Sequence, residues 1–439
     1  MHDDQIKRIK EKLAEAKQVD KNYRVFGAST HKYQLEAPLN EASISNFEEK
    51  FNITLPSCYR SFIKHIGNGG AGPFYGISAL GQAYDSIVKK KYLSIPSQIP
   101  LRVTDEQWDQ LTFELDADET SCELYDELYK QLFSGIMTIG SQGCSYMHGI
   151  IVCGELSGHV LNLCLDDHTK PKFAFENNFL DWYERWLDEV ISGNLLGEET
   201  GWFGYSMGGD EKLLMHTLNV TEELQTKRDA IAGLFKLDKL SENSCHILEQ
   251  YTKSEDTDLR HYSLQALAKF YFKMAFPILK SHLELGSKDQ LEALKYINWY
   301  AKNEYISTEL LKEIFSEITQ IEHFRFAVSI LKKSSVDYTS LLKPYIEHQD
   351  EQFRLKSFDA LANYKEKETC FDLFYKGLND DSPKVVAMTL RAVNGVKDIQ
   401  LLHSYRRIRD KYRNNDQESI MRHLKLRLKE LGINSLDKY

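Results

Sequence analysis

Residues 56–77 read P-S-C-Y-R-S-F-I-K-H-I-G-N-G-G-A-G-P-F-Y-G-I, and within them residues 67–72 spell G-x-G-x-x-G, the glycine spacing of a dinucleotide-binding loop. That fingerprint needs a strand before it and a helix after it, so that helix amides and dipole meet the pyrophosphate. Here the order is reversed. Tyr59, Phe62, Ile63 and Ile66 recur at helical spacing ahead of the glycines, and Pro73-F-Y-G-I behind them is extended or turn-like. Pro56 suits a first helical turn. The stretch therefore reads as a helix closed by glycines, with Gly67, Gly69 and Gly70 supplying positive φ at its end. No G-K-S/T follows, so a Walker loop is absent as well, and no cofactor is expected.

Outward from this helix, a second one is predicted over Ala42–Phe51, and strand-like runs at 135–139, 149–153 and 160–165. G-E-L-S-G makes a short connection between the last two runs. N-F-L-D-W-Y-E-R-W-L-D-E-V-I then places Phe179, Trp182, Tyr183, Trp186 and Leu187 on one helical face. The expectation is an α+β domain over residues 1–192. Residues 193–209 hold six glycines in seventeen positions with no helical or strand period, which reads as a linker.

Past that point a five-residue pattern, small-apolar-x-small/apolar-apolar, recurs six times. It starts at Ala230, Ser263, Ala293, Ala327, Ser357 and Thr389, successive starts lying 33, 30, 34, 30 and 32 residues apart. Two copies follow acidic leads ending in arginine, D-T-D-L-R and D-E-Q-F-R. Paired helices repeating every thirty-odd residues mark an α-solenoid. The pattern resembles HEAT repeats, so residues 210–439 are expected to form an all-α HEAT-like solenoid with a basic helix pair at 401–431 as its cap.

Length and composition agree with a multidomain globular chain: 439 residues, 42% hydrophobic, 27% charged. No apolar run approaches the roughly 18 residues of a membrane span, and the charged amphipathic start has no signal core. Seven scattered cysteines without a C-x-x-C suit a reducing compartment. The expected location is cytoplasmic, with no membrane partner. Charge divides unevenly: residues 1–209 carry 19 Lys+Arg against 30 Asp+Glu, and residues 210–439 carry 36 against 35.

Four groups of side chains invite a chemical reading. Cys144, His148, Cys153, His159, Cys164 and His168 alternate without the knuckle spacing of a structural zinc site, so buried thiols suffice and no metal is expected. The stretch 105–127 has ten carboxylates and no Lys or Arg. Within it Asp105, Glu106, Asp109, Asp116, Asp118 and Glu119 are candidate contacts for a basic protein partner, with Tyr75 as a candidate aromatic contact. The same field disfavours nucleic acid. The basic end from Arg406 to Lys429 reads as the exposed face of a terminal repeat. G-x-S-x-G, H-E-x-x-H and the zinc-deaminase pattern are all missing, so no catalytic residue is nominated.

Residues of about 20–192 resemble the SUKH superfamily, relatives of a yeast cell-wall assembly regulator. The resemblance is carried by Phe47, Glu48, Leu55, Pro56, Tyr59, Arg60, Phe62, Asn68, Gly69 and Gly70. The central I-G-S-Q-G-C-S-Y-M-H-G-I-I-V-C-G-E-L-S-G-H-V and the closing helix around Trp182 add to it. The resemblance implies an α+β fold without enzymatic activity. Bacterial members act widely as immunity proteins that bind a cognate toxin, often a nuclease or deaminase. Eukaryotic relatives imply the other expectation, a regulatory scaffold in signalling or cell-envelope assembly.

Overall fold

The computed structural model describes residues 2–82, 90–115, 117, 120–164, 168–197, 202–284, 288–316, 318–413 and 418–434. The chain divides into two compact units, Met1–Lys239 and Leu240–Tyr439.

The first unit begins with four helices: α1 (Asp3–Val19), α2 (Ala28–His31), α3 (Glu41–Phe51) and α4 (Ser57–His65). Asn40 caps α3 by accepting the Ser43 N–H at 2.8 Å. Pro56 sits one position earlier than a first helical residue, as the N-cap of α4. Two further helices, α5 (Asp105–Thr112) and α6 (Cys122–Phe133), lead into the strands β1 (Ile136–Gly143), β2 (Tyr146–Ile151), β3 (Val160–Cys164) and β4 (Lys172–Phe173). The strands form one antiparallel meander in the order β1-β2-β3-β4. The helix α7 (Phe179–Ile191) follows, then α8 (Glu211–Val220) and α9 (Leu224–Leu234).

The amphipathic reading of α7 captures half of its environment. Phe179, Trp182, Tyr183, Trp186 and Leu187 are all buried in the first unit's core, and so are Glu184, Arg185 and Glu189 on the other side. Burying charge is tolerable only where each charge is paired. Glu184 accepts from Arg8 and Lys12 of α1, each at 2.9 Å. Burial pushes its carboxyl up, but Arg8, Lys12 and Gln5 outweigh that and hold it at about 2. Arg185 bonds Glu176 and Glu189, each at 2.8 Å, and donates to the Ser206 carbonyl at 2.5 Å.

That last contact lies in the stretch whose sequence reads as a linker. Among its described residues, Phe203 is buried and lies under the Arg185 guanidinium, 5.2 Å from ring centroid to Cζ. A Cβ at Gly208 would come within 1.9 Å of Arg185 Nε. Residues 202–209 are therefore a strap packed on α7, and their glycines make room for a neighbouring side chain. Lys236, beyond α9, bonds Glu189 at 3.1 Å, so the compact unit runs past the strap to Lys239.

The second unit is entirely helical among its described residues. It comprises α10 (Glu242–Tyr251), α11 (Thr257–Phe270), α12 (Phe272–Ser281), α13 (Gln290–Tyr300), α14 (Thr308–Phe315) and α15 (Ile321–Lys333). It continues with α16 (Thr339–Ile346), α17 (Glu351–Leu361), α18 (Phe371–Leu378), α19 (Pro383–Ala392), α20 (Leu401–Tyr412) and α21 (Glu418–Glu430). Sequential helices pair, and α11, α13, α15, α17, α19 and α21 stack one on the next. The α+β then all-α order expected from the sequence is the order observed.

The stack explains five of the six copies of the pattern, on α11, α13, α15, α17 and α19; the first, at Ala230, lies on α9 in the first unit. In all six copies the first, second, fourth and fifth positions are buried and the third is not. The first position, always Ala, Ser or Thr, is fully buried in every copy. Where it carries a hydroxyl, the hydroxyl is satisfied within its own helix: Ser263 to Leu259 O at 2.7 Å, Ser357 to Phe353 O and Thr389 to Val385 O, each at 2.8 Å. The arginines of the acidic leads reach forward one repeat. Arg260 pairs with Asp289 at 3.0 Å and Arg354 with Asp380 at 2.8 Å. Because the Asp380 side chain is 11% exposed, Arg354→Met is expected to destabilise the protein by about 3 kcal/mol, the usual loss when a buried pair is broken from one side. Calorimetric unfolding of the variant measures it.

Candidate functional site

The glycine stretch is the hub from which the candidate site is built. After α4 the Ile66 and Gly67 amides both donate to Phe62 O, at 2.8 and 3.1 Å. Gly69 and Gly70 have φ of +104° and +99°, conformations open to glycine at little cost. Gly67 differs from expectation: its φ is not left-handed, and it is glycine for space, since a Cβ would lie 2.9 Å from Leu35 Cβ and Glu36 O. Gly70 pairs on both sides, with Leu35 and with Ile77. The Asn68 side chain accepts the Leu80 N–H at 2.9 Å, and Tyr183 of α7 donates its hydroxyl to Ala71 O at 2.7 Å. Among the described residues, no helix follows directly on the glycines, so no helix start stands behind the loop as a phosphate site needs.

The remaining residues that carry the family resemblance hold this hub. Glu48 of α3 accepts the Leu55 N–H at 2.9 Å and pairs with Arg60 at 3.3 Å. Arg60 also pairs with Glu41. Arg60 and Lys64 hold the exposed Glu41 carboxyl down at about 2. Tyr59 is buried edge-on against Phe179 at 5.0 Å, and Trp182 against His148 at 5.0 Å.

Downstream, residues 75–78 lie along the β1 edge, Tyr75 N–H to Ser141 O at 3.3 Å and Ser78 N–H to Ile139 O at 2.8 Å. Phe74 adopts φ +55°, unusual for a bulky residue. Its ring is driven inward between His148, at 5.3 Å, and Trp202, stacked at 5.4 Å. Gly27 permits this, because a Cβ there would meet Phe74 O at 2.0 Å. On the outside stand Phe26, Tyr75 and Trp202, exposed by 53%, 43% and 57%. Phe26 lies 5.5 Å from the Tyr75 ring and 5.4 Å from that of Trp202. Three contiguous exposed rings over a rigid loop form an apolar patch of the kind that marks interaction sites. Tyr75 is legible in the sequence; Phe26 and Trp202 are not nominated there. Their only local signal is an aromatic beside a glycine, in V-F-G and G-W-F-G.

Beneath the patch is a buried polar cluster. Gln142 Nε2 lies 2.6 Å from Asn162 Oδ1 and 3.1 Å from His148 Nδ1. Tyr205 of the strap donates to Gln142 Oε1 at 3.2 Å. Burial lowers the His148 imidazole to about 3, against an opposing hydrogen bond to Asn162, so the ring is neutral near pH 7. Among the described residues, no three His, Cys, Asp or Glu side chains converge as a metal site.

The acidic candidates are arranged differently. Asp105, Glu106 and Asp109 are exposed on α5, whose start is closed by a Thr104–Gln107 capping box. Asp105 and Glu106 sit in the first turn, where they also oppose the helix dipole, and Asp105 pairs with Lys170. Asp116, Asp118 and Glu119 lie outside the described residues. Tyr75 is anchored on Phe26 and the Gly143 turn, so the aromatic and the acidic candidates rest on different elements.

The clamped glycine loop thus sits against a four-stranded antiparallel meander flanked by helices. Residues 38–185, about one third of the chain, match the model of the SMI1 / KNR4 family (SUKH-1). The family includes toxin-immunity proteins and cell-wall regulators. No curated protein matches the chain. The crystal structure of an engineered protein from the Northeast Structural Genomics Consortium is similar at 15% identity, over 51% of this chain and 98% of that one. Its TM-score of 0.21 carries no argument about the fold.

Two measurements test the site's construction. Gly70→Ala places a Cβ 2.4 Å from Gln34 O at a left-handed φ, and denaturant unfolding should show a loss of about 2 kcal/mol or more. For His148 the folded pKa lies below the ordinary 6.5, so the unfolded chain takes up the proton first. Stability is then unaffected above pH 6.5 and falls as pH drops from 6.5 towards about 3. His148→Gln should flatten that slope in unfolding measured across this range.

Proposed function

We propose that this chain is a non-enzymatic binding protein that neutralises a cognate protein toxin by direct contact through its SUKH-1 domain. The observation that carries the reading is the exposed trio Phe26, Tyr75 and Trp202, held on a loop that the surrounding structure over-determines. Exposed Trp and Tyr on a rigid base are the side chains that dominate protein interfaces, because large apolar area is buried at little cost in conformational entropy. The unit bearing them has 24 Lys+Arg against 36 Asp+Glu over residues 1–239, a field that speeds association with a basic partner and opposes nucleic acid. Asp105, Glu106 and Asp109, exposed on α5, belong to that field. A basic nuclease or deaminase toxin, met in the cytoplasm, is the partner class this charge suits. No described helix is long and apolar enough to cross a membrane.

The competing reading, a regulatory scaffold, draws on the stacked helices of the second unit, since such stacks offer extended binding surfaces. Co-expression with the toxins encoded beside its gene separates the two. Rescue of growth together with a purified toxin complex supports immunity. In that complex Trp202→Ala and Tyr75→Ala should each weaken binding by about 2 kcal/mol, roughly thirtyfold. Absence of both rescue and complex overturns the immunity reading.

A further inference from the structure

The strap meets α7 at one ionic cluster. Arg185 donates to Ser206 O at 2.5 Å and pairs with Glu176 and Glu189, each at 2.8 Å. The two carboxylates are not served alike. Glu189 offers Oε1 to Arg185 and Oε2 to Lys236, at 3.1 Å, so both its oxygens face a cation. Glu176 gives Oε1 to Arg185, while its Oε2 is buried with no hydrogen-bond partner among the described residues. A buried oxygen left without a donor penalises the charged form of its group. Burial raises the Glu176 carboxyl above its ordinary 4.5, against the pull of Arg185, and the charge of Glu189 adds to the rise.

The strap is also held unevenly along its length. At its far end Met207 O packs against Gly233 of α9, where a Cβ would come within 2.6 Å. Residues 202–206 hang instead on side chains. Lys172 donates to Tyr205 O at 2.5 Å, Tyr205 donates to Gln142 Oε1 at 3.2 Å, and Phe203 lies under Arg185. Arg185 is thus the one link between the strap backbone and the carboxylate that is short of a donor.

We propose that the strap is a proton-linked latch: its docking on α7 and proton uptake from solvent by Glu176 favour one another, so that Trp202 is held in the aromatic patch more firmly in acidic than in alkaline solution. The sign follows from linkage. Docking buries Glu176 and raises its pKa, so the docked strap takes up the proton first and loses that advantage as pH rises through the raised value. The charged groups that face Glu176 among the described residues are Arg185 and Glu189 of α7 and Lys236 beyond α9. Glu184 of α7 is held at about 2 and His148 at about 3, so neither changes charge near neutral pH. Asp229 of α9, which faces Lys172, is likewise raised by burial and has to be controlled. The importance of Trp202 to a partner rests on the toxin-binding reading above; the latch is tested without any partner and stands or falls separately.

Hydrogen exchange of residues 203–208 in the full chain is the test. It is read as the ratio of wild type to Glu176→Gln at each pH, so that the intrinsic pH dependence of exchange cancels. The substitution imitates the protonated acid. The two chains should converge towards about pH 4.5, and the wild type should exchange faster as pH rises, by about fivefold or more at about pH 8. One unit of pKa difference between docked and undocked strap is about tenfold in their ratio. Adding Asp229→Asn to both chains should leave this profile unchanged. Fluorine NMR of fluorotryptophan-labelled protein, with Trp202 assigned through Trp202→Phe, reads the unmutated strap directly, and the Trp202 resonance should move over the same pH range. A ratio that is flat with pH, slower exchange of the wild type at the alkaline end, loss of the profile with Asp229→Asn, or a Trp202 resonance indifferent to pH each overturns the latch. So does a Glu176→Gln chain less stable to heat than the wild type at the acid end.

Discussion

Gly70 holds two chain segments at once, and the candidate surface depends on it. Its backbone pairs with Leu35 on one side and Ile77 on the other, and neither the space beside Gln34 nor a φ of +99° admits a side chain. With that junction closed, residues 73–78 have one route along the edge of β1. Phe74 is forced inward, and Tyr75 is left outside beside Phe26. Covering the edge of β1 also removes a row of unpaired backbone groups that would otherwise invite another strand.

The second constraint is electrostatic and lies inside. α7 buries Glu184, Arg185 and Glu189 along with its apolar side, and these charges persist only because α1, the strap and Lys236 bring them partners. Removing one partner would strand a charge in the interior. This network ties the strap to α7, and the strap in turn supplies Trp202 to the aromatic patch and Tyr205 to the polar cluster around His148. The patch is thus rigid for reasons distant from it. A rigid patch loses little entropy when a partner covers it.

Much of this architecture is legible in the chain. The reversed order of helix and glycines by itself argues against a nucleotide loop, because the chemistry of phosphate binding needs a helix start. The spaced copies of the small-apolar pattern announce a stack, and five of the six lie on its helices, the first falling on α9 of the first unit. Other features resist reading for equally physical reasons. G-W-F-G-Y-S-M-G-G looks like a linker because glycine signals freedom, yet Gly208 is small to accommodate Arg185 from another element. Gly67 likewise serves space where the local pattern suggests conformation. Phe26 and Trp202 stand 176 residues apart in the chain, and no local period can join them.

What the sequence determined by itself is local: which segments are helical, where they stop, the two-part order of the chain, and the likeness of residues 38–185 to the SMI1 / KNR4 family. Periodicity, capping and turn chemistry act within a few residues, so they can be read in one dimension. What only the tertiary structure decided is the content of the surfaces. It assembled three distant rings into one exposed patch and turned a glycine-rich connection into a packed strap. Beside α7 it gave both Glu189 oxygens a cation and left one Glu176 oxygen without a donor among the described residues. Exposure and pairing depend on which elements meet, and that is settled by packing among residues far apart in the chain.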